Sequence, residues 1–363
     1  MKQLGFAVGL VLVLALGPIA LVTTSRAFAQ GAVRDQSGAL TATQTDSSKG
    51  WFERKFAGSY VELSNYVGSG TFYASGYHDP YVSTALYLKP VFKLGTKRDL
   101  ALNARLYLET EYTAPDNPQA RRFYPLDPWI WLTARNLHTW ERSKIRLSGL
   151  VRLVIPMSYE SRYANLLFGT AVGGSATRDF ELGSANAQGK RWGLNLSLGS
   201  VFTKNIHSSV LRGNHPGDTT GCRTAQALPT VSGGDSPTAS GSDRCGGPLN
   251  TSFGLMTSMS ATLSRDPWSF SATLILINQF RYAVPVDAFA ATDVPRGRDD
   301  LTWGLLSVGY EISAHLGVGA GVSTYQPALD SRYRYPRIPF FDLSGGANAN
   351  NYTQLFVNVN GTL

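Results

Sequence analysis

The side chains in this chain with the most chemistry to offer are cations and carboxylates at even spacings. Lys89, Lys93, Arg105, Arg135, Lys144, Arg146 and Arg152 fall within one stretch, with Glu109 and Glu111 among them and Glu62 shortly before. Residues two apart on an extended chain point the same way. Arg105 therefore shares a strand face with Glu109 and Glu111, and Arg146 shares one with Arg152. If these strands are neighbours, the cations form one basic wall. Such a wall lowers the electrostatic cost of carrying small anions through a low-dielectric passage. The same groups can instead pair across strands and plug a narrow interior. Both readings stand at this level.

Alternating strands must position that wall. Leu100, Leu102, Ala104, Leu106 and Leu108 oppose Asn103, Arg105, Tyr107, Glu109 and Glu111, a clean period of two. Similar segments recur at 57–65, 81–93, 129–137, 144–155, 163–176, 192–203, 252–264, 268–282, 301–313, 317–325 and 351–363. The later strands carry mostly Gly, Ser, Thr and Asn on the inward face, with Arg281 as the exception. Connections alternate long and short: 66–80 is long, 94–99 short, 113–128 long, 138–143 short, 205–251 very long and 265–267 very short. Only 177–191 is too long for its place in that series. Long outer loops and short inner turns are the mark of a transmembrane up-and-down barrel. A soluble sandwich also alternates, but it needs neither a uniformly apolar face nor loop lengths sorted by parity.

Composition agrees. Charged residues make up 16% of the chain, and it holds 37 Gly, 17 Tyr, 17 Phe and 7 Trp, which suits a lipid-facing barrel better than an ordinary soluble enzyme. Residues 1–29 read as a signal peptide: Lys2, an apolar run from Leu4 to Val22, and Ala27-Phe28-Ala29 before Gln30. The run is also long enough for an uncleaved anchor. Residues 30–56 are polar and aperiodic and read as a periplasmic leader. The formal charge is +8, and removal of Lys2 and Arg26 with the signal leaves +6. No Lys/Arg block points to nucleic acid.

The last strand, Asn351–Leu363, sets Leu355, Val357 and Val359 against Phe356, Asn358 and Asn360. An edge strand at a chain end must pair, and in an exported chain this ending resembles the closing strand and assembly signal of bacterial outer-membrane β-barrels. Those signals usually end in Phe or Trp, where this chain has Leu363. The resemblance covers residues 57–363, is one of porin-like architecture, and carries no substrate motif. It implies an all-β, transmembrane antiparallel barrel of about twelve strands, monomeric, in the bacterial outer membrane. Its partners would be outer-membrane lipid, lipopolysaccharide, the barrel-assembly machinery and small solutes.

Other candidates are fewer. Arg332, Tyr333, Arg334, Tyr335 and Arg337 lie in the last outer loop. They could line a constriction and offer cation–π contacts to a solute, or cover the barrel mouth with the arginines on lipopolysaccharide phosphates. Cys222 and Cys245 are an isolated pair in the 205–251 loop, expected to form a disulfide in an oxidising compartment worth about 3 kcal/mol in the chain-entropy account. His207 and Ser209 have the His-x-Ser spacing of some outer-membrane lipases, but no orienting group for His207 is recognisable. His78, His138, His215 and His315 are scattered without metal-ligand spacing, and no cofactor is indicated. Trp129, Trp192, Trp268, Tyr112 and Tyr282 lie near strand ends and read as interfacial girdles.

The sequence thus points to a non-enzymatic barrel passing small polar or anionic solutes. A barrel with a filled lumen and a structural or surface role is the alternative, and a lipid hydrolase the remote one.

Overall fold

The structure is a computed structural model that describes residues 51–68, 81–95, 99–113, 123–158, 161–162, 164–183, 191–210, 249–283, 297–328 and 352–363. The signal segment, most of the leader, His78, His215, Cys222, Cys245 and the Arg332–Arg337 motif lie outside the described residues.

A short helix, α1 (Trp51–Phe56), precedes fourteen strands. They are β1 (Tyr60–Gly68), β2 (Val82–Lys89), β3 (Val91–Gly95), β4 (Leu100–Glu111), β5 (Phe123–Pro125), β6 (Trp129–Trp140) and β7 (Ile145–Val154). There follow β8 (Leu166–Leu182), β9 (Trp192–His207), β10 (Thr251–Arg265), β11 (Trp268–Arg281), β12 (Arg298–Ser313), β13 (Leu316–Pro327) and β14 (Tyr352–Thr362). Two staves of the barrel are each built from two pieces. Pro90, which has no amide hydrogen for the ladder, separates β2 from β3, and both pair with β4. Residues 126–128 separate β5 from β6, which also both pair with β4. The result is a closed, antiparallel barrel of twelve staves.

Closure runs through the predicted last strand. β14 pairs with β13 on one side and β1 on the other, matching Glu62 with Asn360, Ser64 with Asn358 and Tyr66 with Phe356. The sheet is thereby closed on itself, and the Val91 amide on β3, at the end of the strand path, donates to the Ser59 hydroxyl at 3.0 Å, since a membrane demands that backbone donors be met within the protein. Alternation follows the pleat. On β4, Ala101, Asn103, Arg105, Tyr107, Glu109 and Glu111 are buried, while Leu102 is exposed on the outer face. Val151, Leu153, Leu196, Leu198, Leu355 and Val357 are likewise exposed, as an apolar belt facing lipid must be. Trp268 stacks edge-on against Tyr310 at 4.9 Å, and the Arg265 guanidinium lies 5.6 Å from the Trp192 ring. These contacts make the girdle at the short-turn, periplasmic end.

The one poorly fitting connection has a simple cause. β8 continues to Leu182 rather than ending near Ala176, which shortens the following turn and restores the long–short series. Glycines at 173 and 174 weaken the alternating signal in the sequence, but the ladder with β7 and β9 passes through them without interruption.

Candidate functional site: the basic, aromatic lumen wall

β4, β6 and β7 are consecutive in the barrel, and their register assembles the wall. Arg105 on β4 pairs with Trp129 on β6, and Arg152 on β7 pairs with Trp131. Because the pleat alternates, Trp129 and Trp131 point inward while Ile130 and Leu132 face lipid. The Trp129 ring takes the Arg105 guanidinium 3.2 Å from its centroid and the Arg152 guanidinium at 3.8 Å. Lys89 on β2 reaches Trp131, with its ammonium 5.8 Å from that centroid. All five side chains are buried. A desolvated cation on an indole face gains on the order of 2 kcal/mol, which contributes to holding three cations on one wall.

This placement corrects one reading. Trp129 is not part of an interfacial girdle: it is an inner-wall residue, only 8% exposed. In Trp-Ile-Trp-Leu both faces are apolar, so alternation alone assigns neither face to the lumen. The register with Arg105 does.

The other predicted cations lie nearer the periplasmic end. Lys93 and Arg135 share Asp99, each 3.7 Å from a carboxylate oxygen, and Arg135 sits where β6 bulges between Ala134 and His138. Arg146 forms an ion pair with Asp179, which also accepts a hydrogen bond from Asn195. Asp179 was invisible to strand counting because it falls in the part of β8 beyond Ala176. Lys144 occupies a left-handed position (φ 56°) in the β6–β7 turn and is exposed, so it is not part of the wall.

The carboxylates are inside as expected. Glu62 accepts hydrogen bonds from Tyr60 and Ser64. Glu109 accepts one from Tyr81, whose oxygen in turn accepts from Ser83 at 3.0 Å, and Glu111 accepts from Thr113 at 3.0 Å. Hydroxyl donors are thus among the partners of all three carboxylates.

Next to this wall lies an aromatic arc. Tyr66, Tyr87, Tyr107, Trp303 and Phe356 pack with Ala85, Ile275 and Leu305 in one buried cluster. Leu126 joins it because the break between β5 and β6 turns that residue inward, where its amide donates to the Tyr107 carbonyl at 3.0 Å. The wall formed by β8 to β10 is small: Gly173, Ser175, Thr177, Ser197, Gly199, Ser258 and Ser260 lie on its inner side. Bulk from one half of the barrel is accommodated by the absence of bulk in the other. Arg281 pairs with Asp299, so the cation expected to stand alone on the later strands has its counter-ion.

At the outer mouth, Asp127 organises the chain. Its Oδ1 accepts from the amides of Met157 and Ser158, both at 2.8 Å, and its Oδ2 accepts from the Ser161 hydroxyl. Its carbonyl receives the Arg105 guanidinium at 3.3 Å. Met157, Ser158 and Ser161 are therefore coupled to the lumen cation through one residue that nothing in the sequence pattern singled out.

His207 ends β9 with its ring edge-on to Tyr282 at 5.7 Å, and the next residue, Ser208, donates its amide to the Asn165 carbonyl at 2.9 Å. His138 stacks edge-on against Trp140, and the His315 ring lies 3.1 Å from the Thr362 carbonyl. These are contacts of strand ends and turns. Among the described residues no cluster of three or more His, Cys, Asp or Glu could hold a metal.

Comparison with solved structures finds outer-membrane barrels. The chain is similar to the COG4313 outer membrane channel from Pseudomonas putida F1, at 12% identity and TM-score 0.45, covering 84% of this chain and 95% of that one. It is similar to the NanC porin at 8% identity and TM-score 0.41, covering 84% and 100%. A third is the translocator domain of the autotransporter NalP from Neisseria meningitidis, at 11% identity and TM-score 0.38, covering 92% and 95%. No protein-family model matches the chain, and no curated protein matches it in sequence. At these identities the similarities concern the barrel fold, and the solute rests on the lumen itself.

Proposed function

We propose that this outer-membrane barrel is a passive channel for small polar solutes, with a preference for anions. The observation that carries the reading is the ladder Lys89–Trp131 and Arg105–Trp129–Arg152, three cations held on indole faces on one side of the lumen. Cations spread along a low-dielectric wall favour anions without trapping them at a single deep site. The Gly/Ser/Thr wall of β8 to β10 offers weak hydrogen-bonding groups opposite.

A second reading has its own observation. Tyr87, Tyr107 and Ile275 are 2%, 0% and 0% exposed, the packing expected where side chains fill a lumen. Twelve staves fall between small filled barrels and wide porins. In that reading the barrel is structural, and the ladder serves stability alone.

Planar-bilayer recording separates the two. A channel gives ohmic steps with a reversal potential on the anion side under a salt gradient, and Arg105→Gln with Arg152→Gln moves that potential toward zero. A structural barrel gives no steps, and the same substitutions change only its resistance to unfolding.

A further inference from the structure

The chain enters the barrel through α1, whose surface the channel reading does not use. Trp51 and Phe52 are 61% and 57% exposed, in a six-residue helix that also carries Arg54 and Lys55. Phe52 stacks on Phe56 at 4.6 Å, and Phe56 meets Phe92 edge-on at 5.5 Å. Phe92 is on β3 opposite Leu102, and Leu102 faces lipid. The helix therefore abuts the lipid-facing side of the wall at its periplasmic rim, beside the exposed Leu94. Lys55 fixes the attachment: its ammonium donates to the Lys93 carbonyl at 3.2 Å and lies 5.5 Å from the Phe92 centroid. Behind the helix, the Gly58 amide donates to the Leu363 carbonyl at 2.9 Å, and the Leu363 amide donates to the Ser59 carbonyl at 3.1 Å. Both ends of the barrel chain are thus tied together directly beneath α1.

We propose that α1 is an interfacial foot, seating Trp51 and Phe52 in the periplasmic leaflet with Arg54 on anionic phospholipid headgroups. Two observations select lipid as the occupant. The aromatic row Phe52–Phe56–Phe92 is continuous with the belt that already faces the acyl chains. The exposed Arg54 supplies charge complementary to an anionic leaflet. Tryptophan and phenylalanine beside Arg and Lys are the groups that partition to a membrane interface. A foot so placed holds the barrel entrance at a fixed depth.

The test uses the full chain in vesicles, with tryptophan emission recorded for the wild type and for Trp51→Ala. The difference between them reports Trp51 alone. In vesicles with phosphatidylglycerol, this component should be quenched by phospholipid brominated near the headgroup and be severalfold less accessible to aqueous iodide than in the urea-unfolded chain. Arg54→Gln should restore iodide access in part, and high salt should do the same for the wild type while adding little in the variant. A Trp51 component fully open to iodide and untouched by brominated lipid overturns the proposal. So does shielding that appears only when a periplasmic extract is added, which would make the occupant a protein. Because Trp51 is exposed, its removal leaves the barrel folded, and heat-resistant mobility on gels checks this.

Discussion

Trp129 is the residue whose removal most sharply tests how the lumen holds its charge. Its ring separates guanidiniums contributed by the strands on either side, 3.2 Å and 3.8 Å from its centroid. Trp129→Leu removes the π face while keeping an apolar side chain, so the cost divides into lost packing and lost cation–π attraction. Each desolvated cation–π contact is worth about 1–2 kcal/mol, and shrinking a buried indole adds roughly 2 kcal/mol. The single substitution should therefore cost about 4–6 kcal/mol in urea unfolding from vesicles. A double-mutant cycle isolates the part at issue. Trp129→Leu combined with Arg105→Gln, and separately with Arg152→Gln, should each show a coupling of about 1–2 kcal/mol. The shorter Arg105 contact should give the larger value. Couplings under about 0.5 kcal/mol in both cycles would mean that the indole merely fills space, and the account of how three cations share one wall would be wrong.

Other outcomes follow from the same geometry. Asp299→Ala leaves the Arg281 guanidinium, with a side chain 2% exposed, without its counter-ion; unfolding in urea should show a loss of about 3–5 kcal/mol. Glu181→Ala, which breaks the exposed pair with Arg191, should change stability by no more than about 1 kcal/mol in the same assay. Asp127→Ala removes the acceptor for two amides and a hydroxyl, so hydrogen exchange at Met157 and Ser158 should accelerate while the strands stay protected. Gly321→Val should slow or block folding followed by gel mobility, because a Cβ there falls on the backbone carbonyl of Leu306 and on the Phe356 ring.

Much of the barrel was legible from the chain. Loop parity and the alternation of Leu100–Glu111 fixed the direction of each stave, and the Asn351–Leu363 pattern identified the closing strand. What escaped has physical causes. Trp129 and Trp131 share a strand with Ile130 and Leu132, and a sequence apolar on both faces conceals which side faces inward until register is known. Asp179 was missed because Gly173 and Gly174 weaken the periodic signal just before it, although backbone pairing does not depend on side chains. The break at Pro90 preserves side-chain parity, so Lys89 and Val91 both stay inside and the interruption left no mark in the pattern. Helix α1 is six residues long, too short to build a periodic signature of its own; it is held by Phe92 and the Lys93 carbonyl rather than by intrinsic helical preference.

The central claim is that the cations on Trp129 and Trp131 line a path for anions. Current through the purified full chain in a planar bilayer, under a potassium chloride gradient, tests it most directly. The account predicts ohmic steps whose reversal potential shows chloride preference and falls toward zero in Arg105→Gln/Arg152→Gln. Either a bilayer that stays silent after verified insertion, or steps with cation preference unchanged by those substitutions, would contradict it.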